Sequence, residues 1–74
     1  MNSKRRKKIA EIIEKLEEAK EMIEYVRDEE QESFDNLPEG IQHSEKGETM
    51  EENIDEMDES IDLIDEVIEK MQNL

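Results

Sequence analysis

The stretch MEENIDEMDESIDLIDEVIEKM, residues 50–71, decides the fold. Within it Met50, Ile54, Met57, Ile61, Ile64, Ile68 and Met71 recur at alternating steps of four and three without an error. That is the a/d spacing of a helical seam, far too regular for a strand or a loop. Val67, Leu74 and, further round, Leu63 add a weaker apolar strip beside it. Ser44 is one candidate cap for the start; Thr49, through the capping box Thr49-Met50-Glu51-Glu52, is the other. Gly47 blurs that start. The expected helix covers 45–73.

Upstream, Ile9, Ile12, Leu16, Ala19, Ile23 and Val26 alternate steps of three and four, a second seam widened by Ile13, Met22 and Tyr25. It fails at Glu30 and Ser33, before Phe34 and Leu37 restore apolar character. Ser3 is the expected N-cap. Asn36-Leu37-Pro38 ends the helix, because Pro38 lacks an N–H and disfavours helical geometry at Leu37. This helix is expected over 4–36. Pro38–His43 then forms a short connection of the kind that joins antiparallel neighbours, with Ile41 expected to fold back and plug the open end of the seam.

The pattern predicts an all-α antiparallel helical hairpin, one domain spanning 1–74. Two helices of about 30 residues are ~45 Å long, and one shared seam is thin shelter for nine isoleucines. Pairing of two hairpins into a homodimeric four-helix bundle would bury Ile13, Met22, Leu63 and Val67 as well. The alternative is a lone hairpin whose second strip awaits a different protein.

Composition narrows the function. Of 74 residues, 24 are Asp or Glu and 10 are Lys or Arg, a net charge of −14, and only 32% are apolar. A chain this short buries only ~60% of its unfolded surface, so a lone copy is marginal. With no cysteine, neither disulfides nor thiolate metal sites supply stability. No apolar run approaches a membrane span. The basic start MNSKRRKK leads into glutamates instead of a signal-peptide core, so a cytoplasmic location is expected.

The charge is segregated. Lys4-Arg5-Arg6-Lys7-Lys8 holds five of the ten cations, and everything after it carries a net −19. On the second helix Glu48, Glu51, Glu52, Asp55, Asp58, Glu59, Asp62, Asp65, Glu66 and Glu69 recur every three or four residues, a carboxylate strip with one group per ~5.4 Å of rise. Phosphates along a nucleic-acid strand repeat at a comparable distance. About half a dozen like-charge pairs would cost ~1–3 kcal/mol, a sizeable part of a small domain's margin. The competing reading is a solvated face kept for solubility. The basic cluster opposes the dipole of its own helix; in the hairpin it is expected beside the C-terminal end of the second helix and Glu69. Direct nucleic-acid binding is not expected, because the acidic remainder repels phosphate and no aromatic platform exists for bases.

Catalytic and cofactor chemistry lacks residues. His43 is the single histidine, placed in a loop, and no Glu-x-x-His or glycine-rich phosphate loop occurs. The acids have helical spacing, unlike an EF-hand loop. No enzyme activity, metal site or cofactor is expected. Glu30, at a seam position, is either reached by water near the splayed end or part of a polar layer with Arg27 or a symmetry mate.

The run Arg27-Asp28-Glu29-Glu30-Gln31-Glu32-Ser33-Phe34-Asp35-Asn36-Leu37-Pro38-Glu39-Gly40, with Ser44-Glu45-Lys46-Gly47-Glu48 and Met50-Glu51-Glu52 after it, resembles small acidic helical proteins of Gram-positive bacteria and their phages, an uncharacterised family. The resemblance covers the chain from about residue 9 and implies a bacterial or phage-infected host cell, with no particular activity. By analogy with small acidic phage inhibitors, the expected function is non-enzymatic. The carboxylate strip, helped by Glu11, Glu14, Glu18 and Glu21, would occupy a basic, nucleic-acid-binding surface of a partner protein. The alternative is an assembly adaptor that docks a partner helix on Leu63, Val67 and Leu74.

Overall fold

Asn2, in extended conformation, accepts the Arg5 N–H on its Oδ1 at 2.9 Å and starts the first helix. In the computed structural model, which describes residues 1–74, α1 spans Ser3–Asp35, α2 Glu39–Gln42 and α3 Glu45–Gln72, with no strand. The cap is Asn2 and not the expected Ser3; asparagine caps as well as serine does, and moving the cap outward adds one residue to the helix. At the far end the Asn36 N–H bonds the Glu32 carbonyl and the Leu37 N–H the Phe34 carbonyl, each at 3.0 Å, and Pro38 stops the helix.

The connection is more ordered than a plain loop. Ile41 and Gln42 N–H groups both bond the Pro38 carbonyl, at 2.8 and 3.0 Å, closing the short α2. Gln42 Nε2 donates to the Phe34 carbonyl at 3.1 Å, a second hydrogen bond to an acceptor at the end of α1 that ties α2 back to it. Ser44 occupies the N-cap of α3, but its hydroxyl turns back to the Ile41 carbonyl. Thr49 lies inside α3, so the capping box anticipated there does not operate. Glu45 and Glu48 in the first turn and Lys70 in the last suit the dipole of α3.

Ile41 does not plug the seam: its side chain is 41% exposed. The turn is closed by backbone instead. Gly47 is buried, and a Cβ there would fall 2.5 Å from the Gln42 carbonyl carbon and 2.7 Å from the Ile41 oxygen. Only glycine admits α2 so close to the first turn of α3.

α1 and α3 pack antiparallel into a rod 58 × 15 × 11 Å. α3 turns Ile54 and Ile68 inward, at 5% and 8% exposure, with Met50, Met57, Ile61, Ile64 and Met71 half-buried between and beyond them. α1 uses a different face from the expected one. Ile9, Leu16 and Ile23 are half-buried, but Ile12 and Val26 are 41% and 52% exposed and Ala19 is exposed. The residues facing α3 are Ile9, Ile13, Leu16, Lys20, Ile23, Arg27, Glu30 and Phe34, again in steps of four and three. Rotating α1 onto this face brings Phe34 inward where the other face ends in Ser33, and aligns Lys20 and Arg27 with acids of α3.

No side-chain nitrogen or oxygen is buried without a partner, yet the core is thin. The accessible surface of 5867 Å² exceeds by about a fifth the ~4,800 Å² expected of a compact chain of 8.8 kDa. The radius of gyration, 17.1 Å, compares with ~11 Å for a compact domain of this length.

Gly47→Ala tests the turn. Alanine is intrinsically preferred in a helix by ~1 kcal/mol, yet the variant is expected to unfold earlier, by about 1–3 kcal/mol of overpacking, in urea denaturation followed by circular dichroism. Gly40→Ala, where a Cβ meets nothing within 4 Å, is expected to be neutral or stabilising. Equal stability of Gly47→Ala and wild type would remove the turn's role.

Candidate functional site

Two cations in the α1 face reach across the hairpin. Arg27 grips Asp58 with two nitrogens, Nε to Oδ1 at 2.8 Å and Nη2 to Oδ2 at 3.4 Å. One heptad away Lys20 Nζ lies 2.7 Å from Asp65 Oδ1. Both basic side chains are 29% exposed, their stems lying over the seam and their charges at its edge. Donation of a hydrogen bond to Asp65 raises the Lys20 pKa above its ordinary value, and donation to Asp58 does the same for Arg27, in each case against partial desolvation.

The carboxylate strip is therefore not one uniform surface. Asp58 and Asp65 are committed to α1. Glu48, Glu51, Glu52, Asp55, Glu59, Asp62, Glu66 and Glu69 remain exposed and make no ion pair. On the same flank Glu17, Glu21 and Glu24 of α1 border, with Asp65, an open depression around Lys20. Glu51 and Asp55 line another beside Arg27 and Phe34. Leu63, 61% exposed, lies in a shallow hollow ringed by Glu59, Asp62 and Glu66. Glu11, Glu14 and Glu18 are exposed on α1 and border none of these hollows.

The opposite flank is different in kind. In antiparallel helices, residues one place before the seam residues 13, 20, 27 and 61, 68 fall on a common side. These are Ile12, Ala19 and Val26 of α1 with Ser60 and Val67 of α3. Ile12 and Val67 are each 41% exposed. No charge interrupts this run along its length. Near the turn Asn53 Nδ2 donates to Glu30 Oε2 at 3.0 Å, so Glu30 finds an amide and not Arg27 as its partner.

The basic cluster makes no ion pair with Glu69 or any other acid. Arg6 Nε bonds the Met1 carbonyl at 3.2 Å, and all five cations are exposed. Arg6 borders a hollow with Ile9, Ile13, Met71 and Leu74 at the end of α3, but no acid lies within ion-pair distance there.

His43 is exposed at the end of α2, and no group of three His, Asp or Glu is placed to hold a metal ion. No helix is long and apolar enough to cross a membrane. The residues that sequence reasoning missed are Lys20 and Arg27. Their signal was a shared seven-residue spacing with Asp58 and Asp65. Comparison with protein families, curated proteins and solved structures finds no match.

A pH series checks the cross-hairpin pairs. A lysine whose pKa is raised on folding contributes stability below its ordinary value, 10.5, and loses it as pH rises through the raised one. The stability gap between wild type and Asp65→Asn is expected to be steady from neutral to mildly alkaline pH and to narrow above 10.5. A gap that stays flat there would remove Lys20–Asp65 from the folded state.

Proposed function

We propose that this protein is a non-enzymatic binding protein of the bacterial, or phage-infected, cytoplasm. It pairs with itself as a four-helix bundle and occupies a basic, nucleic-acid-binding surface of another protein by charge mimicry. The observation that carries the reading is the division of the rod into two flanks. One is uncharged and apolar, suited to a second hairpin; the other leaves eight carboxylates of the α3 strip exposed and without ion pairs over a helix of 28 residues. Such a surface acts at long range, giving fast, salt-sensitive association with cationic partners. It binds no nucleic acid itself and holds no cofactor.

The alternative is an assembly adaptor that docks a partner helix through Leu63, Val67 and Leu74, supported by their exposure of 61%, 41% and 56%. Salt and sequence separate the two. Asp55→Asn, Asp62→Asn, Glu66→Gln and Glu69→Gln together remove free carboxylates while sparing the two that hold α1. For a partner captured from bacterial lysate, eluted in stepped salt and identified by mass spectrometry, the fourfold variant is expected to weaken binding by roughly tenfold or more. The wild-type complex should fall apart between ~0.1 and ~0.5 M salt. A partner retained at high salt, kept by the fourfold variant and lost on Leu63→Ser would overturn mimicry in favour of the adaptor.

A further inference from the structure

The apolar flank is symmetric about its own centre. Ile12, Ala19 and Val26 are spaced by sevens, and residue 19 is also the midpoint of α1, which runs Ser3–Asp35. A two-fold axis crossing the rod at Ala19 would lay Ile12 of each copy against the partner's Val26, with the two small Ala19 side chains at the point of closest approach. On α3, Val67 lies near the same level, because Lys20 is opposite Asp65.

The charge along the rod has a direction. The turn end, residues 27–52, holds ten carboxylates against Arg27 and Lys46, a net −8. The terminal end, residues 1–15 with 60–74, holds seven cations against six carboxylates. Its five foremost cations, Lys4–Lys8, make no ion pair within the chain. Two copies side by side and parallel would place one net −8 end beside the other. Antiparallel copies, registered on Ala19, would bring Lys8 level with the partner's Glu30 and Arg6 level with the partner's Glu32. The excess surface supports a second copy as occupant: about 1,000 Å² beyond a compact chain of this mass is close to the ~800 Å² per partner of a standard interface.

We propose that two copies pair antiparallel through the flank of Ile12, Ala19, Val26 and Val67, so that the basic tip of each rod covers the acidic turn end of the other. The proposal rests on the four-helix reading above and adds its orientation. It also assigns Lys4–Lys8 a role: they are the counterions of the partner's turn.

The chain has no cysteine, so a single Asn36→Cys substitution carries one nitroxide per copy. Sedimentation equilibrium reports whether a dimer forms, and pulsed dipolar electron paramagnetic resonance reports its orientation. The antiparallel pair is expected to give a label separation of about 50 Å, set by 34 residues of helical rise. A dimer with labels closer than about 30 Å would overturn the orientation and leave the bundle standing. A monomer at about 100 μM, about a hundredfold above the dissociation constant of a micromolar complex, would overturn both. Changing Lys4, Arg5, Arg6, Lys7 and Lys8 to glutamine is expected to weaken the dimer about tenfold at low salt and hardly at all at high salt. An unchanged low-salt dissociation constant would overturn the pairing of tip with turn.

Discussion

The structure depends on two cations placed where a seam ordinarily has apolar residues. α1 has two faces capable of packing on α3: one through Ile12, Ala19 and Val26, the other through Ile13, Lys20 and Arg27. By apolar content alone the first is better. The second is used because Lys20 and Arg27 are one heptad apart, as are Asp65 and Asp58, so rotation onto it forms both ion pairs at once. Charged groups at a helix interface are weak sources of stability and good sources of specificity when an alternative packing leaves them unmatched. Here the unmatched alternative would also bring Ser33 inward in place of Phe34.

That choice of face has consequences at every level. It displaces Ile12 and Val26 to the surface, leaving Ile54 and Ile68 as the only residues of the core below 9% exposure. It takes Asp58 and Asp65 out of the free carboxylate surface. It leaves the N-terminal cations without an acidic partner on α3. A thin core, an apolar flank and an unbalanced tip are thus one fact seen in three places, and a second copy would answer all three.

α3 could be read from the sequence almost residue by residue, because seven apolar residues in unbroken seam spacing leave only one face to bury. α1 could not. Its apolar residues are enough for two overlapping stripes, and hydrophobic periodicity gives no weight to a lysine whose stem packs while its charge escapes. The break at Ser33 was the clue that the stripe through Ile12 was the wrong one. The turn was legible as a position, from Pro38, and not as a mechanism. Gly47 looks like an interruption in a helix until α2 is laid against it. The acidic residues were evident from composition, but which of them are free depends on the rotation of α1, and that lies beyond any count of charges.

The ion pairs fix rotation and leave translation open. Glu51, Asp58 and Asp65 form a series of three acids at heptad spacing facing a series of two cations. Sliding α3 by one heptad, ~10.5 Å, would set Lys20 against Asp58 and Arg27 against Glu51 with no pair lost. Something else must hold the register, and the turn is placed to do it. Both observed pairs put the turning point of the chain between Gln42 and His43, where α2 ends. The slipped register would move that point to Glu39, inside α2. It would break the Gln42 bond to the Phe34 carbonyl and the packing of Gly47 on the Gln42 backbone. A glycine that admits backbone contact at one place therefore does for translation what two salt bridges do for rotation. Neither device alone specifies the hairpin.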